Sequence, residues 1–376
     1  MKKLCIIPAL ILCLVILVPC FPASAEETKY YRSGIYTYTI LNEQEKQISI
    51  CEIASQDKKI TIPSELDGYQ VYALGYESHF HNDDSVIKEI GGGAKETLEE
   101  LEIPSSVKYV YAFAFSHYEK LKKVSLPEGI TLCKGSFSEC SSWKDILLPQ
   151  NTTCEDGSIP YYLNTLEISS PLPAYDVLNG TIQKLILSEK GDGIWHLGTS
   201  WVTVKIKQLF SPENAKKLVF NYAEENSHVE KLYVNGADTA IEAKHIERYG
   251  EVTFGDIYTV DHAKAISFAR KNKINYHVKQ AGKVKKVSSK KKAKVYQHQW
   301  KKAKTITTSY RYNKKTKKWT AQKKTLPTIY NIYGKKTKNG TYKRIASTKS
   351  NKIKTNYRYV KIKTSQIWET GKDNPQ

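Results

Sequence analysis

Ala114-Phe115-Ser116-His117-Tyr118-Glu119-Lys120-Leu121-Lys122-Lys123-Val124-Ser125-Leu126-Pro127 is followed, 22 residues on, by Ser136-Phe137-Ser138-Glu139-Cys140-Ser141-Ser142-Trp143-Lys144-Asp145-Ile146-Leu147-Leu148-Pro149. Each copy supplies one short apolar strand and cannot bury its own apolar face, so the copies must stack into a solenoid. Stacked repeats present a long continuous surface instead of one catalytic pocket. The function class this favours is binding.

The unit of an apolar strand ended by proline recurs outward from that stretch. It stands as Ile60-Thr61-Ile62-Pro63, Glu102-Ile103-Pro104, Ser125-Leu126-Pro127 and Leu147-Leu148-Pro149, at intervals of 41, 23 and 22 residues. Proline closes each strand because it cannot donate a ladder hydrogen bond. The first interval reads as two repeats with some distortion. Beyond Pro149 the proline mark fades, and short strands continue as Leu166-Glu167-Ile168, Leu185-Ile186-Leu187, Leu218-Val219-Phe220, Leu232-Tyr233-Val234 and Val252-Thr253-Phe254. Segments 79–93 and 191–200 interrupt the pattern. Tyr36 to Ile40 and Ile48 to Ile53 alternate as a hairpin that caps the first coil, since an uncovered end exposes strand edges. A helix over His262 to Asn272 and a strand over Ile274 to Val278 are expected to close the other end, with a boundary between Gln280 and Lys283.

Residues 1–25 have Lys2 and Lys3, an apolar run from Leu4 to Phe21 and Ala23-Ser24-Ala25 before Glu26, the layout of a cleaved secretory signal peptide. No later run approaches the roughly 18 apolar residues of a membrane span, so no membrane insertion is expected after cleavage. The expected location is extracellular, cell-wall association included. Four cysteines follow the signal: Cys51, Cys133, Cys140 and Cys154. They read either as packed free thiols or as a Cys133–Cys140 or Cys140–Cys154 bridge between coils.

Charge divides the chain. Gly282 to Gln376 carries 29 Lys or Arg against two acids, Glu369 and Asp373, whereas the rest carries 29 bases against 36 acids. Such asymmetry predicts two domains, 26–281 and 282–370, the second meeting an anionic partner. Alternating segments at Ala293 to Trp300, Thr305 to Tyr312, Thr328 to Tyr333, Tyr342 to Ala346 and Tyr357 to Ile362 predict a small antiparallel β-sandwich there. The expected fold class is mainly β: a repeat solenoid with an N-terminal β cap, then the sandwich.

Ser136-Phe137, Cys140, Trp143, Ile146 and Leu148-Pro149 resemble the BspA-like, or Treponema-type, leucine-rich repeat, with Trp143 in place of the usual Leu. Tyr36-Thr37-Tyr38-Thr39-Ile40 and Asp67-Gly68-Tyr69-Gln70-Val71 are similar to the start of such domains. Tyr330-Asn331-Ile332-Tyr333, Gly340-Thr341-Tyr342-Lys343-Arg344-Ile345-Ala346 and Tyr357-Arg358-Tyr359-Val360-Lys361-Ile362 resemble a fibronectin type III module. These resemblances imply a secreted or surface-exposed bacterial protein that binds proteins, host extracellular proteins among them, and they carry no catalytic residue across.

The candidate contact residues are Trp195 and Trp201 on the solenoid, and Lys314, Lys315, Lys317, Lys318, Lys335 and Lys336 on the basic module. The lysines are expected to meet anionic cell-wall or host polymers. Of the 29 bases 26 are Lys, which as point charges favour diffuse, salt-sensitive retention over bidentate recognition. His79, His81, Asp83 and Asp84 read as a polar insertion loop. A metal site there is the alternative, as in a secreted metal-dependent hydrolase. Cys133 with His117 one repeat earlier is adjacency that stacking produces by itself. No catalytic, metal or cofactor residue is assigned. A structural component of the cell envelope is the other alternative.

Overall fold

The computed structural model describes residues 28–76, 89–171, 178, 180–188, 193–197, 203–221, 227–244 and 252–368. The signal segment 1–25, the His79 to Asp84 cluster and Trp201 lie outside them.

The repeats stack as a β-solenoid. On one side, parallel strands pair rung by rung, so that Ile146, Leu166, Leu185, Leu209, Leu232, Ile257 and Tyr276 form one inward ladder over seven coils. All seven are buried, and side chains of this size each contribute about 1.5–3 kcal/mol on leaving water. A second side carries the ladder Ile50, Leu74, Val110, Leu132 and Cys154. Cysteine fills the last of these rungs as a small apolar side chain.

The quoted repeat closes its coils by aromatic stacking. The Phe115 and Phe137 rings lie 5.1 Å apart and 5° from parallel, and Trp143 meets Phe137 edge-on at 5.1 Å. The turn backbone of one coil donates to the next, from Phe115 N to Ser136 O and from His117 N to Ser138 O. His117 and Glu139, 22 residues apart, both take left-handed backbone angles, so the turn repeats as well as the strand. Cys140 donates its thiol to Phe115 O at 3.0 Å.

The strand Lys59–Thr61 pairs directly with Glu100–Glu102. The 41-residue interval is therefore one coil with an excursion, not two repeats, and its extra length includes Gly91-Gly92-Gly93. Gly92 sits at φ +95°, and a Cβ there would lie 2.4 Å from Ile53 O, so the glycine lets that turn press against the neighbouring coil.

Beyond Pro149 two differences from the sequence reading appear. Val204–Phe210 is a full rung of the long sheet, and Lys217–Asn221 belongs to a separate three-stranded sheet with Ile194–His196 and Ala240–Lys244. The segment read as an interruption thus contributes a strand, too short for its periodicity to show.

In the long rungs the buried residues are three apart: Leu163 and Leu166, Ile182 and Leu185, Ile206 and Leu209, Val229 and Leu232. Regular strands alternate, so two adjacent outward residues between buried ones mark a bend, repeated in register. The next strand, Thr253–Val260, places Gly255 at the bend, where a Cβ would meet Glu230 O at 2.3 Å.

The helix forms over Lys264–Lys271 and the closing strand over Asn275–Ala281. That strand does not end the sheet. The hairpin Thr305–Asn313 and Lys318–Leu326 pairs antiparallel to it, extending the long sheet to nine strands. Tyr310 and Trp319 pack on the solenoid core, with Tyr310 stacked on Tyr276 at 4.6 Å. The hairpin is therefore the solenoid's end cover and not a pair of sandwich strands. The remaining strands form two three-stranded antiparallel sheets, Lys285–Lys292 with Val295–Lys301 and Lys352–Thr355, and Lys343–Thr348 with Tyr330–Lys335 and Tyr359–Thr364. A small separate core of Trp300, Tyr330, Ile332 and Ile362 lies among them. The chain end then folds back on the solenoid, where Trp368 Nε1 donates to Thr259 O at 2.9 Å and Trp368 N to Asn235 Oδ1 at 2.7 Å.

Candidate interaction surfaces

None of the four described cysteines is in a disulfide, and all four are buried. Burial pushes the Cys133, Cys140 and Cys154 thiols up to about 12, so they stay protonated at neutral pH and are poor nucleophiles. His117 Nδ1 lies 2.8 Å from Ser116 Oγ in its own turn and 3.2 Å from Glu89 Oε1, 28 residues earlier, so its ring is engaged by structural contacts. Among the described residues no group of three or more His, Cys, Asp or Glu is arranged to hold a metal ion.

One constellation has the order of a hydrolytic triad. Ser309 Oγ lies 2.8 Å from His277 Nδ1, and His277 Nε2 lies 3.3 Å from Asp256 Oδ2. The His277 hydrogen bond holds Asp256 below the usual carboxylate range. Ser309, however, sits mid-strand between two ladder partners, His277 and Gln322. Its strand commits its backbone N–H groups to neighbours on both sides, and acyl transfer needs free donors for an oxyanion. The three residues instead bond the end hairpin to the last two coils.

The outward face of the long sheet carries two rows. In one, Phe210, Tyr233, Tyr258 and His277 stack ring on ring across four strands, at 4.3, 4.6 and 4.3 Å. Trp368 caps this row, edge-on to Tyr258 at 5.1 Å. In the other, the repeated bends point polar side chains outward and form an open trough of about 390 Å³. It contains Lys184, Lys207 and Lys231, together with Asn164, Gln183 and Gln208. The rows touch where Gln208 hydrogen-bonds Tyr233, whose hydroxyl is pushed up to about 12, chiefly by burial.

The second solenoid side exposes tyrosines. Tyr72, Tyr109 and Tyr111 line up at 5.7 and 6.1 Å, and Tyr30 meets Tyr76 at 6.1 Å. Tyr30, Tyr31 and Tyr109 are exposed. Sequence reading did not single them out, although Tyr109 and Tyr111 keep the two-residue spacing that puts side chains on one face of an extended chain.

Trp195 is not a surface contact. It is 1% exposed, inside the Trp195, Leu218 and Ile241 rungs of the three-stranded sheet. Lys314, Lys315, Lys317 and Lys318 are all exposed at the tip of the end hairpin. Asn313 Oδ1 shapes that tip by accepting from Lys315 N at 2.9 Å and Thr316 N at 3.0 Å. Lys336 is exposed, whereas Lys335 is half-buried over the Tyr342 ring at 4.7 Å and donates to Lys338 O. The eight residues Lys285–Lys292 are exposed throughout. The module's two acids, Glu369 and Asp373, fall outside the described residues, and among those described no base beyond Ala281 forms an ion pair.

Residues 85–170 match the family model described as the BspA type leucine rich repeat region, in six copies. Over this segment the chain is similar to BspA-type leucine-rich repeats. The matched segment covers the Phe-stacked coils and the proline marks at Pro104, Pro127 and Pro149, and stops near the start of the bent, unmarked coils. Among solved structures, a leucine rich cell surface protein from Faecalibacterium prausnitzii is 14% identical over 64% of this chain and 73% of its own, with a TM-score of 0.34. A leucine-rich repeat protein from Bacteroides ovatus is 11% identical over 66% and 99%, at 0.28, and the leucine rich repeat protein of T. pallidum is 15% identical over 57% and 86%, at 0.25. No curated protein matches the chain.

Proposed function

We propose that this is a secreted, envelope-associated binding protein of a bacterium. Its solenoid presents the tyrosine face around Tyr72, Tyr109 and Tyr111 to a protein ligand, and its basic C-terminal sheets hold it to anionic polymers of the cell wall. The signal-like N-terminus supports export. Exposed tyrosines supply rigid amphipathic contact area of the kind enriched at protein interfaces. The two C-terminal sheets exchange strands in the manner of a sandwich, in keeping with a fibronectin type III-like spacer whose second and third strands are joined through the end hairpin.

The observation that carries the reading is the exposed lysine surface, on the hairpin tip and along Lys285–Lys292, that is not neutralised by acids of its own module. Such a surface concentrates anions without geometric selectivity, and its hold weakens as salt shortens the screening length from about 30 Å at 0.01 M to about 3 Å at 1 M. The test is co-sedimentation of the full secreted chain with teichoic-acid-bearing walls. Binding is expected at low salt and release at high salt. A Lys314→Glu/Lys315→Glu/Lys317→Glu/Lys318→Glu variant should release at lower salt. Retention that does not respond to salt removes the electrostatic tether.

A further inference from the structure

We propose that the polar trough on the outward face of the long sheet is a binding site for an acidic polysaccharide, a carboxylate-bearing sugar chain lying across the coils. This goes beyond the tether, which uses different lysines on a different part of the molecule.

The trough exists because the bend recurs in register. Each coil turns two adjacent residues outward at the same height, so Lys184, Gln208 and Lys231 form one registered row over three successive strands, with Lys207 beside Gln208 on the middle one. Neighbouring strands are about 4.8 Å apart, close to the advance of one sugar ring along a polysaccharide. A chain crossing the strands at right angles therefore meets a fresh set of side chains at each ring. Lys184, Lys207 and Lys231 outnumber the trough's acid, Glu230, which lies 3.8 Å from Lys231. A ligand carrying one negative charge per ring or per pair of rings complements that spacing.

The remaining side chains select among polyanions. Asn164, Gln183 and Gln208 each offer a donor and an acceptor from one planar amide, which suits vicinal hydroxyls. Gln208 is further positioned by its hydrogen bond to Tyr233. A protein partner would need apolar anchors at the centre of the contact, and the trough lining has none. A single-stranded nucleic acid would need open aromatic faces for its bases. The adjacent rings are stacked on one another and so have their faces covered.

The test uses the full secreted chain and three soluble polymers: polygalacturonate, its methyl ester, which keeps the sugar and loses the charge, and polyphosphate, which keeps charge without sugar. Binding is measured by calorimetry at about 0.3 M salt, where diffuse attraction is largely screened. Polygalacturonate should bind and its methyl ester should not. Lys184→Gln/Lys207→Gln/Lys231→Gln should weaken polygalacturonate by about tenfold or more, because charge-assisted hydrogen bonds are lost. Lys46→Gln/Lys120→Gln/Lys271→Gln, equal in charge and elsewhere on the solenoid, should change it less than about twofold. Gln208→Ala should weaken polygalacturonate and leave polyphosphate unchanged. Equal loss in the two lysine variants, equal effects of Gln208→Ala on both polyanions, or no binding of polygalacturonate overturns the proposal. Wall retention at low salt should survive the trough variant, which keeps the fate of this site distinct from that of the tether.

Discussion

At the scale of single residues, the coil is held by side chains whose partners sit one repeat away. Phe137 stacks on Phe115 and receives Trp143 edge-on, all three buried. Phe137→Ala leaves a cavity that stacked neighbours on both sides cannot collapse into, and the expected loss is about 3–5 kcal/mol. Urea unfolding measures it, and a loss below about 1 kcal/mol would mean the coils repack freely. Glu99 acts on the outside. Lys122 and Lys58 both donate to its carboxylate, at 2.6 and 2.9 Å, and hold it at about 2. A carboxyl whose folded value is depressed stabilises the fold above its unfolded value and loses that contribution as pH falls through the folded one. The wild type should therefore lose stability between about pH 5 and pH 2 more steeply than Glu99→Gln, compared by thermal unfolding. Parallel pH profiles would show the pair to be energetically idle. The repeated Phe could be read directly from the sequence, because its 22-residue spacing is itself the coil length. Trp195 could not, because its strand has three residues, and three residues show no period.

At the scale of elements, proline-marked strands, capping hairpin, helix and closing strand were all legible, since each follows from local alternation or helical spacing. Partner choice was not. Alternation in Thr305 to Tyr312 announces a strand, yet nothing within it states whether it joins a separate sandwich or the solenoid's open edge. Tyr310 and Trp319 decide the matter by packing around Tyr276, at 4.6 and 5.3 Å. Trp319→Ala should loosen the hairpin without unfolding the Phe-stacked coils, because a solenoid repeat depends mainly on its neighbours. Hydrogen exchange is expected to quicken over residues 305–326 and 275–281 while staying slow over 114–148. Uniform acceleration along the chain would mean that the structure unfolds as one cooperative block. The bend in the long rungs was equally hidden, since a buried pair three apart looks like a fault in a period of two until the same fault is seen in neighbouring strands. The trough, which depends on that bend, was hidden with it.

At the scale of the whole molecule, the charge boundary near Gly282 and the structural boundary do not coincide. The sheet runs across it: Asn275–Ala281 on the acidic side pairs over six registered positions with Thr305 to Tyr310 on the basic side. The fold-back of Trp368 onto Thr259 and Asn235 adds a second tie. The C-terminal region therefore also serves the solenoid, covering an edge that would otherwise present a row of unpaired backbone groups. Its lysines suit that position, because the outermost strand Lys318–Leu326 is itself an edge, and charge there discourages a further strand from adding. A chain ending at Ala281 should keep its β-sheet circular dichroism but self-associate through the bared strand, giving oligomers in size-exclusion chromatography where the full chain elutes as one smaller species. Restoring only residues 282–327 should reverse most of that association, since the hairpin lies within them. If the chain ending at Ala281 instead stays monomeric at the same concentration, the hairpin is an ornament on the solenoid and the edge needs no cover.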